Sequence, residues 1–439
     1  MRRIPGMIVL FGILSLFVVE ARSGDTPPPV ETLIAELGHK NYRVRQAAGR
    51  ALEDRGEEAL PSLRQALTSN DEEIRRRVEV LTQKIERAVL LNPKRVTIQM
   101  KNQLIDEVVK ELARQSGYKL QYQGGQQRRV TVEMDKVTYW QALEKICTVG
   151  GLSPGFDDQQ GLVYLYQQNT ISPYTFHNGP FRFVATNFNY NRYINLSNLP
   201  SNGANPNQNQ NDNSLNFGFM IQSEPKVPLL SVSAPRLTKA EDENGISLLP
   251  RHDDNNQFNV HYNEGNGLYR NFQHSTNAQM AKPAKEATRA KFVRGKVQVT
   301  LLAGTKPDVV IEKLTVGKKK FKGSGSGADI EIEDVAEANK VYTITMIIRR
   351  HIKDGAEAQD YNWINGVQQK LELYDDKGKK FQSQGVTNFI NNSPTSIHAT
   401  YQFAPANDTK MGPVAKLVMN QWLTISHELE FEFKDLPLP

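Results

Sequence analysis

At 439 residues the chain is too long for one compact core, and ordinary domain sizes divide it into two to four units. A hydrophobic fraction of 38% with 8% aromatic residues supports buried cores and excludes disorder throughout, while a mean hydropathy of −0.53 implies much polar loop surface. The net charge of +6 and pI near 9.1 favour weak attraction to anionic partners, and the single cysteine, Cys147, excludes an intramolecular disulfide.

Arg2 and Arg3 precede an apolar run from Ile8 to Val19, and Val19-Glu20-Ala21 supplies small residues at the −3 and −1 positions of a cleavage site. This predicts a signal peptide over 1–21, cleaved because the run is shorter than the roughly 20 residues that span a hydrocarbon core. No lipobox cysteine follows, and no later segment is apolar for long enough to span. The mature chain is expected in the periplasm or cell envelope, with peripheral membrane contact at most, and export makes nucleic acid the least natural anionic partner.

From Val30 to Leu91 apolar and alanine positions recur at helical steps, and the pattern returns after 30 residues: Leu33 on Leu63, Leu37 on Leu67, Val44-Arg45 on Ile74-Arg75 and Ala48 on Val78. Asn41-Tyr42-Arg43-Val44-Arg45 and Asn70-Asp71-Glu72-Glu73-Ile74-Arg75 resemble the second-helix signature of HEAT repeats. That resemblance implies two short helical repeats, with Asn41 and Asp71 opening the second helices and Pro61 in the first turn of the next repeat.

Residues 94–168 switch grammar twice. A strand at Val96–Met100, a helix from Leu104 ended by Gly117 and a strand at Tyr118–Tyr122 are followed by Val130–Met134, a helix from Tyr139 and Gly150-Gly151. The halves superpose at a shift of 34, and a last strand covers Leu162–Tyr166 after a turn region from Gly155 to Gly161. The strand Val96–Met100, the helix Asn102–Ala113, Ser116-Gly117-Tyr118 and the second pass through Trp140-Gln141-Ala142-Leu143 are similar to the short N-terminal domain of secretins and TonB-dependent receptors. The resemblance implies a small βαββαβ docking module without a catalytic group, although no secretin pore or receptor barrel follows.

Residues 170–439 read as short alternating strands, among them Phe181–Ala185, Leu215–Met220, Val297–Leu302, Ile330–Ile332, Val341–Ile348 and Leu429–Phe433. They predict one or two antiparallel β-sandwiches, with a β-rich domain over 170–290, a β-sandwich domain over 291–439, and weak helical stretches near Asn277–Ala290 and Ala406–Met419. The asparagine-crowded Asn187–Asn216 and the polar His252–Met280 predict long mobile loops. Glu241–Gly245 and Asp375–Gly378 carry turn chemistry.

Candidate chemistry is sparse. His252, Asp253, Asp254, His261 and Glu264 could ligate a metal only if the backbone gathers them, and ordinary polar composition explains the grouping. Cys147, on an apolar helix, reads as a buried structural thiol, and Glu331 with Glu333 as a solvated strand face. Gly323-Ser324-Gly325-Ser326-Gly327 lacks the lysine–serine ending and following helix of a phosphate loop and reads as a flexible hairpin loop. Arg75–Arg77, Lys318–Lys320 with Lys322, and Arg349-Arg350 read as solvated faces. The fold class is multidomain α+β. The function expected is a non-catalytic envelope adaptor or structural protein, without cofactor or metal, that binds other envelope proteins, glycans or anionic envelope polymers. Alternatives are an envelope polysaccharide hydrolase or lyase, and a periplasmic ring component of a secretin-type system.

Overall fold

The computed structural model describes residues 28–125, 128–158, 160–168, 172–192, 213–250, 270–352, 361, 363–405 and 410–439. The signal peptide expected at 1–21 lies outside them, as does 193–212 of the asparagine-rich stretch. The chain is mixed α+β and forms two compact units, one up to Val89 and one from Leu90. Among the described residues no helix is long and apolar enough to cross a membrane.

The first unit is helical: α1 (Val30–Glu36), α2 (Tyr42–Arg55), a 3-10 turn (Gly56–Ala59), α3 (Leu60–Ala66) and α4 (Glu72–Leu91). The 30-residue repeat is physical, because equivalent residues perform equivalent work. Asn41 Oδ1 accepts from the Arg43 N–H at 2.9 Å and Asp71 Oδ1 from the Ile74 N–H at 3.1 Å, so each opens its helix. Arg45 donates to the carbonyl of His39 at 2.8 Å, and Arg75, 30 positions on, donates to that of Ser69 at 2.5 Å. Pro61 stands in the first turn of α3. Leu33, Leu37, Leu52, Leu63, Val78 and Ile85 fill the core between the helices.

The second unit begins with β1 (Arg95–Leu104), α5 (Ile105–Ser116), β2 (Lys119–Tyr122), β3 (Arg129–Thr138), α6 (Tyr139–Gly150), β4 (Leu152–Asp157) and β5 (Leu162–Gln167). The 34-residue duplication reaches the backbone: Asn102 and Lys136 both take positive φ, 50° and 48°, and both helices stop on left-handed glycines, Gly117 and Gly151. β1 pairs with β3, and the other strands lie in the order β2-β5-β4. One correction concerns Gly155, expected in a turn. Leu152–Asp157 is an edge strand, on which Pro154 is tolerated, and the turn is confined to the residues after Asp157.

The rest is β-layered. One sheet has the order β11 (Gln273–Met280), β8 (Asn213–Ser223), β7 (Phe181–Arg192), β6 (Thr175–Asn178). A second has β10 (Arg236–Asp242), β12 (Arg289–Glu312), β19 (Val414–Pro437), β16 (Leu371–Asp375), with β9 (Leu229–Val232) also on β12. A third runs β13 (Phe321–Ser324), β14 (Ala328–Ala338), β15 (Val341–Arg350), β18 (Ser396–Ala404), β17 (Gln382–Asn392). All six expected strands fall within these. His252–Met280 is not all loop, since β11 occupies its end, and the same strand with the start of β12 replaces the helical stretch at Asn277–Ala290. From Val414 onward, Ala406–Met419 is strand as well, 406–409 lying outside the described residues. The eight-residue helix α7 (Trp363–Lys370) was not anticipated.

β12 and β19 are each 24 residues long and pair from Arg289 opposite Pro437 to Glu312 opposite Lys416, a ribbon about 80 Å long. Ala290 is therefore the second residue of a continuous strand. At one end Val293, Val297, Val299, Leu429, Phe431 and Phe433 close a core against the Phe181, Phe183, Phe217 and Phe219 rings. At the other, Val309, Ile311, Leu417 and Met419 close a second core against Ile332, Ile344, Met346, Tyr401 and Phe403. Register shifts at Leu302/Gly304 and Pro307/Val309 interrupt the ribbon between the cores.

The two layered halves repeat one plan. β10 pairs β12 with Ala240 opposite Val293, and β16 pairs β19 with Leu373 opposite Leu417. Each edge strand ends on a buried aspartate, Asp242 or Asp375, whose carboxylate accepts from the N–H groups two and four residues ahead. A glycine three ahead, Gly245 or Gly378, takes φ of +80° or +75°. The sequence ED-ENG and DD-KG turns are thus two copies of one hairpin.

Two consequences can be measured. Phe431 packs 4.7 Å from the Phe219 ring and 5.8 Å from Phe183, so Phe431→Ala is expected to lower the stability of the first layered core by about 3–5 kcal/mol, read by denaturant unfolding. Glu243 accepts from the N–H groups of Thr288 and Arg289, and these bonds to the backbone, Thr288 first, hold its carboxyl near about 2. Its folded value lies below its unfolded one, so its contribution is present above about pH 4.5 and is lost as pH falls toward 2. Glu243→Gln should remove that part of the acid slope.

Candidate ligand-binding cleft

The small α/β part is fastened to the first layered core through buried polar groups. The Trp140 indole N–H donates to the Pro180 carbonyl at 2.9 Å, and Arg182, itself buried, donates to Glu144 at 2.6 Å and to Gln222 at 2.7 Å. Burial alone would raise the Glu144 carboxyl, but His177 and Arg182 outweigh it and hold the group below its ordinary value. Glu224, fully buried, accepts from the Lys94 N–H and from the Tyr118 hydroxyl at 2.6 Å. Burial pushes its carboxyl up against those hydrogen bonds, and pushes the Tyr118 hydroxyl up as well.

These fastenings help bring six separate stretches around one cleft of about 660 Å³. Gly117, Tyr118 and Lys119 follow α5, Asp158, Gln160 and Gly161 form the β4–β5 turn, and Pro225 and Lys226 follow β8. Arg270 precedes β11, while Gln368 and Gln369 end α7 and Lys380 to Ser383 enter β17. The cleft walls are tied by their own backbone. Asp158 Oδ1 accepts from the Phe272 N–H at 2.7 Å, and the Gln369 side chain clamps the Arg270 backbone, accepting from its N–H at 2.5 Å and donating to its carbonyl at 3.3 Å.

Four cations line the cleft against one carboxylate. Three of the four are engaged: Lys119 donates to the Gln160 carbonyl at 3.4 Å, Lys226 to that of Asn92, and Lys380 pairs with Glu372 at 2.5 Å. Arg270 is different. Its guanidinium lies 5.4 Å from the Phe272 ring centre, its Nε is buried without a hydrogen-bond partner among the described residues, and burial lowers its basicity despite the attraction of Asp158. Burial raises Asp158, the Phe272 N–H opposing. Such a wall offers groups complementary to negative charge and to hydroxyls.

The residues singled out from the sequence lie elsewhere. His252, Asp253, Asp254, His261 and Glu264 lie outside the described residues, and among the described ones no group of three metal-ligating side chains forms. Cys147 is buried and its thiol is pushed up to about 12 by desolvation. Glu331 sits among Lys320, Lys322 and Arg349 at 3.5 to 3.6 Å; partial desolvation opposes its charge, yet those cations hold it low, while Glu333 pairs with His398 at 2.9 Å.

The glycine–serine word does hold an anion, but it is the chain's own. Asp308, at a register shift of β12, accepts from the Ser326 N–H and hydroxyl, each at 2.7 Å, and from the Gly327 N–H at 3.0 Å. A Cβ on Gly325 would stand 2.6 Å from the Asp308 backbone oxygen, so only glycine permits the approach. The loop is pinned, correcting the expectation of a flexible one.

Sequence reasoning missed Lys119, Asp158, Lys226, Arg270 and Lys380. They are separated by up to 261 positions and share no word, and only the Asp- and Gln-rich turn near Asp158 drew notice.

A family model described as HEAT repeats matches residues 21–82, the span of α1 to α3 and the first half of α4. No curated protein matches the chain. Among solved structures, the crystal structure of the conserved domain protein from Bacillus anthracis aligns with 58% of this chain and 88% of that one, at 8% identity and a TM-score of 0.15. That likeness is too slight to carry fold or function across.

Removing the Asp308 carboxylate strands three donors. Asp308→Ala is expected to cost about 1–3 kcal/mol and to speed amide hydrogen exchange at Ser326 and Gly327.

Proposed function

We propose that this chain is an exported, non-catalytic protein of the bacterial cell envelope, a scaffold that holds an envelope polymer or protein in the cleft around Arg270. The observation that carries the reading is the chemistry of that cleft: Lys119, Lys226, Arg270 and Lys380 face one carboxylate, with the amides of Gln160, Gln368 and Gln382 between them. Cations and amides suit holding a ligand, whereas glycoside hydrolysis characteristically uses a pair of carboxylates.

Two further features support it. The segment 94–168 resembles the docking module of secretins and TonB-dependent receptors, and here α6 is occupied by the chain's own β layers through Trp140 and Glu144. That use favours a fixed scaffold over a subunit stacking into a secretion ring. The helical first unit, where HEAT repeats match, adds a surface of the type that elsewhere serves protein contact.

The test joins location with retention. The tagged chain is fractionated from cells, and the purified chain is applied to peptidoglycan sacculi, extracted envelope proteins and a glycan panel. Recovery with the envelope and salt-sensitive retention by one of these is the expected result. Cytoplasmic recovery without retention, or turnover of a glycan abolished by one carboxylate substitution, would sink the proposal.

A further inference from the structure

We infer that the cleft between the β4–β5 turn, the entry to β11 and the end of α7 is a subsite for an acidic oligosaccharide, with the Arg270 guanidinium seating a uronate carboxylate. The inference rests on the binding reading above and names its ligand class.

Arg270 is the cation of the cleft whose charged end has no partner among the described residues. Lys380 is neutralised by Glu372, while Lys119 and Lys226 are turned onto backbone carbonyls. The Arg270 guanidinium forms no ion pair or hydrogen bond with a described side chain, although its backbone is clamped by Gln369 and its plane is backed by Phe272. A planar fork held in place, with no acceptor among the described residues, matches a carboxylate, which accepts two parallel N–H bonds.

The surrounding groups argue for a sugar carrying that carboxylate. The side-chain amides of Gln160, Gln368 and Gln382 line the cleft without hydrogen bonds to described residues, and Ser383 adds a hydroxyl. Amides both donate and accept, as does every sugar hydroxyl, so they pair with a polyhydroxylated ring whichever way its hydroxyls point. An acidic peptide would instead call for apolar pockets between its charges. The apolar side chains that line the cleft are spoken for by the fold: Leu371 and Phe381 belong to the second layered core and Tyr118 is committed to Glu224, so they form a wall and not separate pockets.

Asp158 supplies the internal control. Its carboxylate shares the cleft with Arg270 and attracts it without reaching ion-pair distance, so it opposes an incoming anion. Asp158→Asn keeps the oxygen that accepts from the Phe272 N–H and removes only the charge.

The experiment is calorimetric titration of the full chain with oligogalacturonate, neutral chito-oligosaccharide and poly-glutamate at fixed ionic strength, with folding of each variant checked by circular dichroism. Oligogalacturonate should bind, Arg270→Gln should weaken it by about tenfold or more, and Asp158→Asn should tighten it by about threefold. Shifts of opposite sign from two folded variants are not produced by a merely structural role. Binding of the neutral sugar equally well, with both variants unchanged, overturns the anchor and leaves the binding reading standing. Poly-glutamate binding through Arg270 in place of the sugar overturns the ligand class. Silence from all three probes overturns the inference, whereas the binding reading falls only if sacculi and envelope proteins are not retained either.

Discussion

The pairing of β12 with β19 is the constraint on which the layered half depends. Twenty-four residues on each side run antiparallel, and neither layered core is complete without residues from both strands. The chain lays down most of the first core, continues along β12 into the second, builds that, and returns along β19 to finish the first with Leu429, Phe431 and Phe433. Such closure joins residues more than 130 positions apart, so folding of the first core waits on the chain's last strand. The register shifts at Leu302/Gly304 and Pro307/Val309 let one ribbon serve both cores, since each extra residue re-aims the side chains that follow.

A second layer of organisation comes from buried polar groups. Arg182, Glu224, Asp242 and Asp375 are all withdrawn from solvent, and each is held by partners that the fold supplies. Buried polar groups without partners would cost several kcal/mol apiece, so their satisfaction fixes one arrangement and excludes sliding alternatives. Arg182 and Glu224 tie the small α/β part to the first core, and that attachment sets the β4–β5 turn opposite α7. The cleft is therefore a product of rigid fastening. Arg270 differs in facing the cleft: its backbone is clamped by Gln369 while its charged end has no partner among the described residues.

Internal repetition runs through the whole molecule, at a spacing of 30 in the helices, 34 in the small α/β part, and as a duplicated sheet plan in the layered half. The first two were legible because their residues keep a constant shift: Asn41 with Asp71, and Gly117 with Gly151, face the same local demand for a cap. The third was hidden. Its copies share little beyond the turn chemistry around Asp242 and Asp375, and only the pairing of edge strand to ribbon reveals the match.

The sequence by itself determined the helical repeat, the two strand–helix passes, the six strands of strongest alternation and the burial of Cys147. These depend on periodicity and capping, which act over a few neighbouring residues. Tertiary structure alone decided that Leu152–Asp157 is an edge strand, that the asparagine-rich and polar stretches end in β8 and β11, that the glycine–serine loop closes on Asp308, and that Arg270 and Asp158 share a cleft. Each of these turns on a partner far along the chain, because a strand gains its hydrogen bonds, and a charge its counter-ion or its lack of one, from whatever the fold sets beside it.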